Sequence, residues 1–208
     1  MALGSFAGLK ASIATWLDRT DLTTVIEDFI VLAEARIGRD LRVRTMETRS
    51  QMTTLASTEY YGLPTGYVSA RSLKLQNGDI KFDLEYMSPE NIEQYSGTGS
   101  TYPRYYTIVG EELRLVPTHG SGYVVEVVYY KQPTALDDTN TSNTTFAKSP
   151  DIYLYAALLE GATFLKDREA AMGYGTLYGQ AISAAQSADT KDRHGGGVLQ
   201  VHGGHRGK

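Results

Sequence analysis

The three glycines in Gly173-x-Gly175-x3-Gly179 have a spacing that resembles the glycine loops that bind phosphate. Such a loop requires a β-strand before it, and the best-known version also requires a lysine followed by serine or threonine. No strand is predicted before these glycines, and no such pair follows them. We therefore interpret the glycines, which alternate with Tyr174 and Tyr178, as positions where the last predicted helix approaches a neighbouring element closely.

Two histidines, His202 and His205, are separated by two glycines and could chelate a transition metal. A biological metal site needs a preorganised set of ligands, and this glycine-rich segment has no apolar pattern with which to build one. His119 falls in a predicted turn, and the sequence indicates no partner for it. We therefore predict no metal site.

Adjacent carboxylates occur at Glu111-Glu112 and at Asp137-Asp138. Both pairs fall in predicted turns, where water keeps carboxylates ionised and general acid catalysis is unfavourable. The nucleophile-elbow, HExxH and EF-hand patterns are absent from the sequence. The sequence therefore predicts no catalytic residue, no cofactor and a protein that is not an enzyme.

The composition is that of a globular protein with an excess of tyrosine. Of 208 residues, 41% are apolar and 21% are charged, which argues against wholesale disorder. The absence of cysteine excludes disulfides and thiolate chemistry, and it fits assembly in a reducing cytoplasm. Fifteen tyrosines against five phenylalanines place a hydroxyl on most aromatic rings. Such rings are favoured at interfaces, where one end is buried and the other is wet.

Charge is distributed unevenly along the chain. The net charge of −4 argues against a protein that surrounds nucleic acid with its whole surface. Positive charge is concentrated between Arg36 and Arg49, and again between Lys191 and Lys208. Each cluster fits either solvated surface or a contact with an acidic partner. No apolar stretch reaches the roughly 18 to 20 residues that a membrane span requires, so no membrane association is predicted.

Apolar periodicity divides the chain into helices, then strands, then helices. Two helical patterns come first, and Thr24 with Glu27 predicts a capping box at the start of the second, which runs to about Leu41. From about Thr48 to Gln132 the period is two, and Asn77-Gly78 predicts a tight hairpin within this region. The order of elements is typical of an α+β fold.

A polar segment from Asp137 to Ser149 is predicted to connect the strands to two final helices, the first of which begins at Pro150. The terminal helices are expected to pack together, with the strands inserted between them. The predicted boundaries are residues 1–47 with 149–190 for a helical bundle, 48–148 for an inserted, mostly antiparallel β domain, and 191–208 for a flexible glycine-rich tail.

Three tyrosine doublets lie in the β region: Tyr60-Tyr61, Tyr105-Tyr106 and Tyr129-Tyr130. Because neighbouring strand residues point to opposite faces, one ring of each doublet is expected to face the core and the other to face outward. The outward rings fit a tyrosine-rich sandwich with a wet surface or a subunit interface, where tyrosine is an enriched anchor.

Five stretches occur together, in one order, over nearly the whole chain. They are Leu9-x3-Ile13-x2-Trp16-Leu17-x-Arg19-x-Asp21-Leu22, Asp28-Phe29-Ile30-x-Leu32-Ala33-Glu34-Ala35-Arg36-Ile37-x-Arg39-x-Leu41-Arg42, Leu84-Glu85-Tyr86-x-Ser88-Pro89, Pro150-Asp151-x-Tyr153-Leu154-Tyr155-Ala156-Ala157-Leu158 and Gly195-Gly196-Gly197-Val198-Leu199. In this combination the chain resembles the head-to-tail adaptor, or gatekeeper, proteins of tailed bacteriophages, especially short-tailed ones. The last helix departs from the family pattern, because glycines replace bulkier residues there.

The resemblance implies a structural virion protein at the head–tail junction, made in the cytoplasm of a host bacterium. It implies a ring of twelve copies that joins the portal protein to a downstream tail or nozzle protein. Genomic DNA would pass through the lumen of the ring without sequence-specific binding. The portal-docking residues predicted on this basis are Arg193, Val198, Leu199, Gln200, Val201 and Arg206. The predicted subunit or portal contacts are Arg36, Arg39, Arg42, Arg44, Tyr61, Tyr106 and Tyr130.

Two alternatives from other functional classes remain open at this point. The first is a tyrosine-rich β-sandwich module that binds glycans or proteins and is carried on a helical base. The second is a nucleic-acid-binding protein that uses the stretch from Arg36 to Arg49, and it predicts DNA affinity with a strong salt dependence.

Overall fold

The computed structural model describes residues 3–97, 102–120 and 122–193 and has an α+β fold, as the sequence predicts. The chain forms two compact units: the helical unit, Met1–Thr45 with Pro133–Lys208, and the sheet unit, Met46–Gln132. The helices are α1 (Phe6–Trp16), α2 (Ile26–Asp40), α3 (Pro89–Ile92), α4 (Thr144–Lys148), α5 (Pro150–Phe164) and α6 (Arg168–Arg193), with 3-10 turns at Arg44–Met46 and Glu93–Tyr95. The strands are β1 (Glu47–Thr53), β2 (Tyr60–Gly62), β3 (Tyr67–Asn77), β4 (Ile80–Asp83), β5 (Glu85–Tyr86), β6 (Tyr105–Val109), β7 (Glu112–Val116) and β8 (Val124–Lys131).

Helix α1 forms because its apolar residues recur at helical spacing and its first turn is capped. Phe6, Leu9 and Ile13 are buried on one face. The Ser5 hydroxyl accepts a hydrogen bond from the Gly8 amide at 3.1 Å, which satisfies one of the free amides of the first turn. The helix therefore has a fixed start and a buried face.

The predicted capping box at the start of α2 is wrong. The residue before the helix is Val25, and it makes no side-chain hydrogen bond to the first turn. Instead, the carbonyl of Leu22 accepts hydrogen bonds from the amides of Val25 and Ile26, both at 2.9 Å. Because Leu22 is buried, the turn before the helix is held by packing. A hydroxyl cap at Thr24 is therefore not used.

Helix α5 is the central element of the helical unit. Pro150 occupies its first turn, where a missing amide costs nothing. Eight of its fifteen residues are buried, and they surround the helix, as expected where several neighbours pack against it. At Gly161 a Cβ would lie 2.8 Å from Leu17 Cδ1 and 3.4 Å from the Phe29 ring, so a larger residue here would require the Leu17 side chain to shift.

The polar segment before α5 contains a short helix, with Thr145 and Phe146 buried, that the sequence does not predict. Asn143 caps α4 by accepting a hydrogen bond from the Phe146 amide at 2.8 Å. The Phe146 side chain is fully buried and meets the Tyr153 ring edge-on, with ring centroids 5.1 Å apart. One phenylalanine among threonines and asparagines was too weak a signal for a core element.

Helix α6 runs without interruption through the three glycines of the phosphate-like spacing. A Cβ at Gly175 would meet Leu159 Cδ1 at 3.8 Å, which is ordinary contact, whereas a Cβ at Gly173 or Gly179 would meet nothing within 4 Å. The interpretation as a phosphate loop is therefore excluded, because these residues form a helix. The predicted close approach is also wrong at Gly173 and Gly179 for contacts within the described chain.

The sheet unit is a sandwich of two four-stranded sheets. Sheet A has the order β1-β8-β3-β4 and is antiparallel throughout, whereas sheet B has the order β2-β7-β6-β5 with a parallel pair at β5–β6. Alternate residues of β3, β7 and β8 face a common core. The core residues are Leu73, Leu75, Leu84, Leu113, Leu115, Val125, Val127 and Tyr129.

The predicted hairpin is confirmed, but its two central residues are Gly78 and Asp79 and not Asn77 and Gly78, because Asn77 still belongs to β3. Strands β3 and β4 pair from Lys74 opposite Asp83 to Asn77 opposite Ile80. Gly78 has a φ of +59°, which is the left-handed conformation that this turn needs. Strand β2 is not predicted from the sequence, because three residues are too few to show alternation.

Candidate assembly surfaces

Arg36 is paired inside the helical unit. Its Nε donates to Glu160 Oε1 at 2.9 Å between α2 and α5, and its Nη2 donates to the same oxygen. The Glu160 side chain is 15% exposed and that of Arg36 is 35% exposed. A charge-assisted pair in this position fixes the two helices relative to each other. The role of Arg36 in portal or subunit contacts stays a prediction.

Arg39 and Arg42 lie at the end of α2 and differ in their partners. The Arg42 Nη1 donates to the carbonyls of Gly38 and Leu41, at 2.9 and 2.6 Å, and so satisfies the end of the helix. Arg39 is exposed, and no carboxylate of the described residues lies within ion-pair distance of it. Of these two predicted contact residues, Arg39 is the more accessible to a partner.

The last described turn of α6 is tied to Arg44. The Arg44 amide and Nε donate to Asp189 Oδ1 at 2.9 and 3.2 Å, and its Nη2 donates to Asp192 Oδ2 at 2.9 Å. The Nε of Arg193 donates to Asp189 Oδ2 at 2.7 Å. The Asp189 side chain is only 11% exposed, so both arginines cover it. This cluster positions Arg193, the one predicted portal-docking residue that the structure describes.

Tyr61 and Tyr106, two of the predicted subunit or portal contacts, pack against the core of the sandwich. Their partners across the strands are Leu113 and Leu115, which are core residues. The register therefore carries both rings inward, and burial raises the pKa of both phenols. In these two doublets Tyr61 and Tyr106 are the inward rings, and their part in subunit contacts stays a prediction.

The three doublets do divide between the core and the opposite side. The outward members are Tyr60, which is 45% exposed, and Tyr105, whose ring lies 4.6 Å from that of Tyr95. In the third doublet Tyr129 is buried and Tyr130 is half-buried. The alternation is thus confirmed. A doublet of identical residues cannot by itself indicate which ring is buried.

Large apolar side chains are exposed on the helical unit. Trp16, at the end of α1, is 49% exposed and contacts Tyr155 and Tyr174, with ring centroids 6.1 and 6.4 Å away. Phe164 is 54% exposed and rests against the ring of Phe29. Rings that are packed at one edge and open at the other are typical of protein interfaces. The other large apolar side chains exposed on the helical unit are Val31, Leu32, Met172 and Leu177.

A nearly buried arginine, Arg114 on β7, organises the outer side of sheet B. Its Nε donates to Glu59 Oε2 at 3.0 Å, and its two terminal nitrogens donate to the carboxylate of Glu93, which follows α3. The Thr118 hydroxyl donates to the other oxygen of Glu59 at 2.9 Å. Hydrogen bonding to Glu93 raises the pKa of Arg114. The network holds the segment of α3 against the strands.

Two further titratable groups are packed inside the units. The Glu34 carboxylate accepts a hydrogen bond from the Leu136 amide at 2.8 Å, and burial raises its pKa to about 7. The His119 ring is buried, with its Nε2 2.7 Å from Thr54 Oγ1 and its Nδ1 without a hydrogen bond among the described residues. Burial lowers the pKa of His119. Both groups make stability depend on pH.

A model of the SU10 adaptor protein family matches residues 5–200, a range that includes every helix and strand described above. The chain belongs to the SU10 adaptor protein family. This is a family of structural phage proteins and not a family of enzymes. The search among curated proteins found no match to this chain.

Membership in the SU10 adaptor family confirms the resemblance to phage head–tail adaptors. It implies a place at the head–tail junction of the virion and association with portal and tail components. The restriction to short-tailed phages stays a prediction.

Five of the six predicted portal-docking residues of this SU10 family member lie outside the described residues, and so do His202 and His205. Among the residues that the structure describes, no group of three histidine, aspartate or glutamate side chains could hold a metal ion. No helix in that part of the chain is both long and apolar enough to cross a membrane. The five docking residues are Val198, Leu199, Gln200, Val201 and Arg206.

Proposed function

We propose that this adaptor forms a closed ring that joins the portal to the tail and lets DNA pass through its lumen. The observation that carries the proposal is the family match over residues 5–200, because it covers both units of the chain. A ring of identical subunits in head-to-tail contact needs two different patches on each subunit, which complement each other.

The helical unit exposes two different apolar patches. One is the exposed side of α2 with Val31 and Leu32, which are 61% and 52% exposed. The other is the aromatic group of Trp16, Tyr155 and Tyr174 at the end of α1. We assign the lateral contact of the ring to these patches, the first on one subunit and the second on the next. Burial of such side chains is the main source of free energy for association.

Portal docking is assigned to the segment from Arg193 to Arg206. Arg193 shares Asp189 with Arg44, so a carboxylate of the portal can compete for it without leaving Asp189 unpaired. The residues Val198 to Val201 are β-prone and can add main-chain hydrogen bonds and apolar contacts to a strand or groove of the partner. The exposed Arg39 is also available to pair with a carboxylate of the portal.

The decisive experiment mixes the purified full chain with portal rings and measures the mass of the complex. We expect many copies of the adaptor for each portal ring, with twelve as the number implied by the family resemblance. A persistent complex of one adaptor with one portal ring would contradict the proposal. Electron micrographs of the same mixture show whether the added mass forms a ring.

Two variants test the surfaces separately. Leu32→Glu should reduce the number of bound copies, whereas Leu55→Glu, the same change at a leucine that is 65% exposed in the sheet unit, should not. Deletion of residues 194–208 should weaken portal attachment while leaving the thermal stability of the free chain unchanged. If the shortened chain joins portals as readily as the full chain, docking does not involve this segment.

A further inference from the structure

The outer face of sheet A carries several cations and carboxylates, with Val128 and Tyr130 among them. Glu126 on β8 lies directly between Gln51 on β1 and Lys74 on β3, and Lys74 is opposite Asp83 on β4. The neighbours of Lys74 and Glu126 along β3 and β8 point into the core, so Gln51, Lys74, Asp83 and Glu126 share the outer face. The cations of this face are Arg49, Arg71, Lys74 and Lys81, and its carboxylates are Glu47, Glu126 and Asp83.

Glu126 lies beneath two of these cations. Arg49 Nη1 and Lys81 Nζ approach its Oε2 at 3.4 and 3.3 Å, and Gln51 Nε2 donates to the same oxygen at 3.3 Å. The Glu126 side chain is 12% exposed, whereas those of Arg49 and Lys81 are 62% and 46% exposed. The hydrogen bond from Lys81 lowers the pKa of Glu126, so the carboxylate stays ionised at neutral pH.

Glu47 repeats the arrangement at the other end of β1. Its carboxylate accepts a hydrogen bond from Arg71, and its side chain is 19% exposed against 41% for the arginine. The third pair is reversed: Asp83 is 79% exposed, Lys74 is 44% exposed, and their charged atoms are 3.6 Å apart. Two carboxylates are therefore covered by cations, and one is open to water.

A molecule that approaches this face meets cations first, while the formal charge of the face is only 4 − 3 = +1. A polyanion is the ligand class whose charge is complementary to such a surface. The covered carboxylates lower the attraction, because they occupy the donors of the cations and partly cancel their charge. The result is a surface that binds a polyanion weakly and reversibly.

We propose that this face contacts duplex DNA and that Glu47 and Glu126 keep its affinity low. The inference rests on the proposed function, in which DNA moves past the protein and must not adhere to it. Duplex DNA presents one negative charge for about every 1.7 Å of its axis, and each phosphate that a cation neutralises releases condensed counterions. A cation freed from its carboxylate would therefore show itself as tighter and more salt-dependent binding.

The test uses the full chain without portal and a fluorescent duplex of about 25 base pairs, with binding followed by anisotropy from low to physiological salt. Glu126→Gln keeps the shape of the side chain and removes its charge. Glu112→Gln on β7, an exposed residue of sheet B, is the matched control, because each variant changes the net charge from −4 to −3. If a gain in DNA affinity came from net charge alone, it would be equal in the two variants.

We expect Glu126→Gln to bind DNA at least about fivefold more tightly than the control at low salt, with a salt dependence steeper by about one to two phosphate contacts. Replacing Arg49 and Lys81 by glutamine in the same variant should abolish the gain. Equal affinity of the two variants would overturn the inference.

If Glu126→Gln does not fold by circular dichroism, Glu47→Gln takes its place with the same control and the same expectation. If neither folds, the carboxylates serve the fold and the inference is wrong. Because portal is absent from this assay, its result is separate from that of ring formation. If the adaptor forms a ring on portal but Glu126→Gln gains no DNA affinity, only the inference is contradicted. If Glu126→Gln gains DNA affinity but no ring forms on portal, only the adaptor proposal is contradicted.

Discussion

The helical unit and the sheet unit expose different kinds of large apolar side chain. Among the described residues, none of those exposed on the helical unit is a tyrosine, whereas half of those on the sheet unit are. A tyrosine at the surface keeps its hydroxyl in water, whereas wholly apolar side chains gain more by burial against another protein. The two units therefore expose two kinds of surface, a mainly apolar one on the helical unit and one with hydroxyl-bearing rings on the sheet unit. The exposed large apolar residues of the sheet unit are Leu55, Tyr60, Ile80, Tyr86, Tyr95 and Val109.

The units also differ in how polar groups are used. In the helical unit, Arg36 and Glu160 fix one helix against another. In the sheet unit, Arg114 holds the segment of α3 to one sheet, and surface ion pairs cover the other sheet. Each unit therefore contains a partly buried charged pair, and we expect the most buried arginine, Arg114 of the sheet unit, to be the most sensitive to loss of its charge.

The largest effect is expected at Phe146 in the helical unit. Phe146→Ala removes a fully buried ring and should lower the free energy of unfolding by about 3 to 5 kcal/mol. The single tryptophan, Trp16, lies in this unit, so urea unfolding followed by its fluorescence measures the change. Phe164→Ala, at a ring that is 54% exposed, is the control and should cost much less. Equal losses would show that α4 is not part of the core.

The next largest effect is expected at Arg114 in the sheet unit. Arg114→Met leaves Glu59 and Glu93 without their shared partner, and it should cost about 2 to 3 kcal/mol. Urea unfolding followed by far-ultraviolet circular dichroism measures the loss. Arg49→Met, at an arginine that is 62% exposed, should change stability little. If the two variants are equally stable, the network does not hold α3 to the sheet.

The parts of the fold that the sequence predicts are those with a local signal. The hairpin at Asn77-Gly78 follows from backbone conformation, and α5 follows from Pro150 and a long apolar run. The missed element α4 depends on one buried ring, Phe146, which only tertiary packing reveals. The prediction of a hydroxyl cap at Thr24 is wrong because the buried Leu22 fixes the turn instead.

The candidate surfaces were less predictable, because their geometry depends on residues far apart in the sequence. Arg114 is separated from Glu59 and Glu93 by 55 and 21 residues, so no spacing rule connects them. Strand register decided that Tyr61 and Tyr106 face the core. The arginine-rich stretch could be identified from composition alone. The partners of those arginines could not be identified in this way.

A smaller effect, and one that depends on pH, is expected at Glu34 in the helical unit. Its folded pKa of about 7 lies above the ordinary value of 4.5, so the folded state binds a proton more tightly than the unfolded state. Stability should therefore fall as pH rises from about 4.5 to 7, and stay level above. Glu34→Gln should be more stable than the natural chain at pH 8, by about 1 to 2 kcal/mol after allowance for solvent screening.

The measurement for Glu34 is urea unfolding followed by Trp16 fluorescence at pH 5 and pH 8. The advantage of Glu34→Gln should shrink at pH 5, where the folded natural chain has a protonated Glu34. Glu169→Gln, at an exposed position in the first turn of α6, is the control for loss of a carboxylate. An advantage that is the same at both pH values would show that Glu34 is not the group that titrates.

The smallest effect is expected at His119 in the sheet unit, with the opposite sign. Burial lowers its folded pKa below the ordinary value of 6.5, so the unfolded state binds the proton more tightly. The contribution of His119 to the free energy of unfolding should be fully present above about pH 6.5 and should fall as pH decreases toward the folded pKa. The reason is that the charged ring would have a buried Nδ1–H without a partner. His119→Gln, which can still reach Thr54, should remove this loss. Strand unfolding by circular dichroism at pH 5 and pH 7 measures it. If the natural chain and the variant lose the same stability over that range, another group causes the acid dependence, and the opposite pH responses of the two units do not come from these residues.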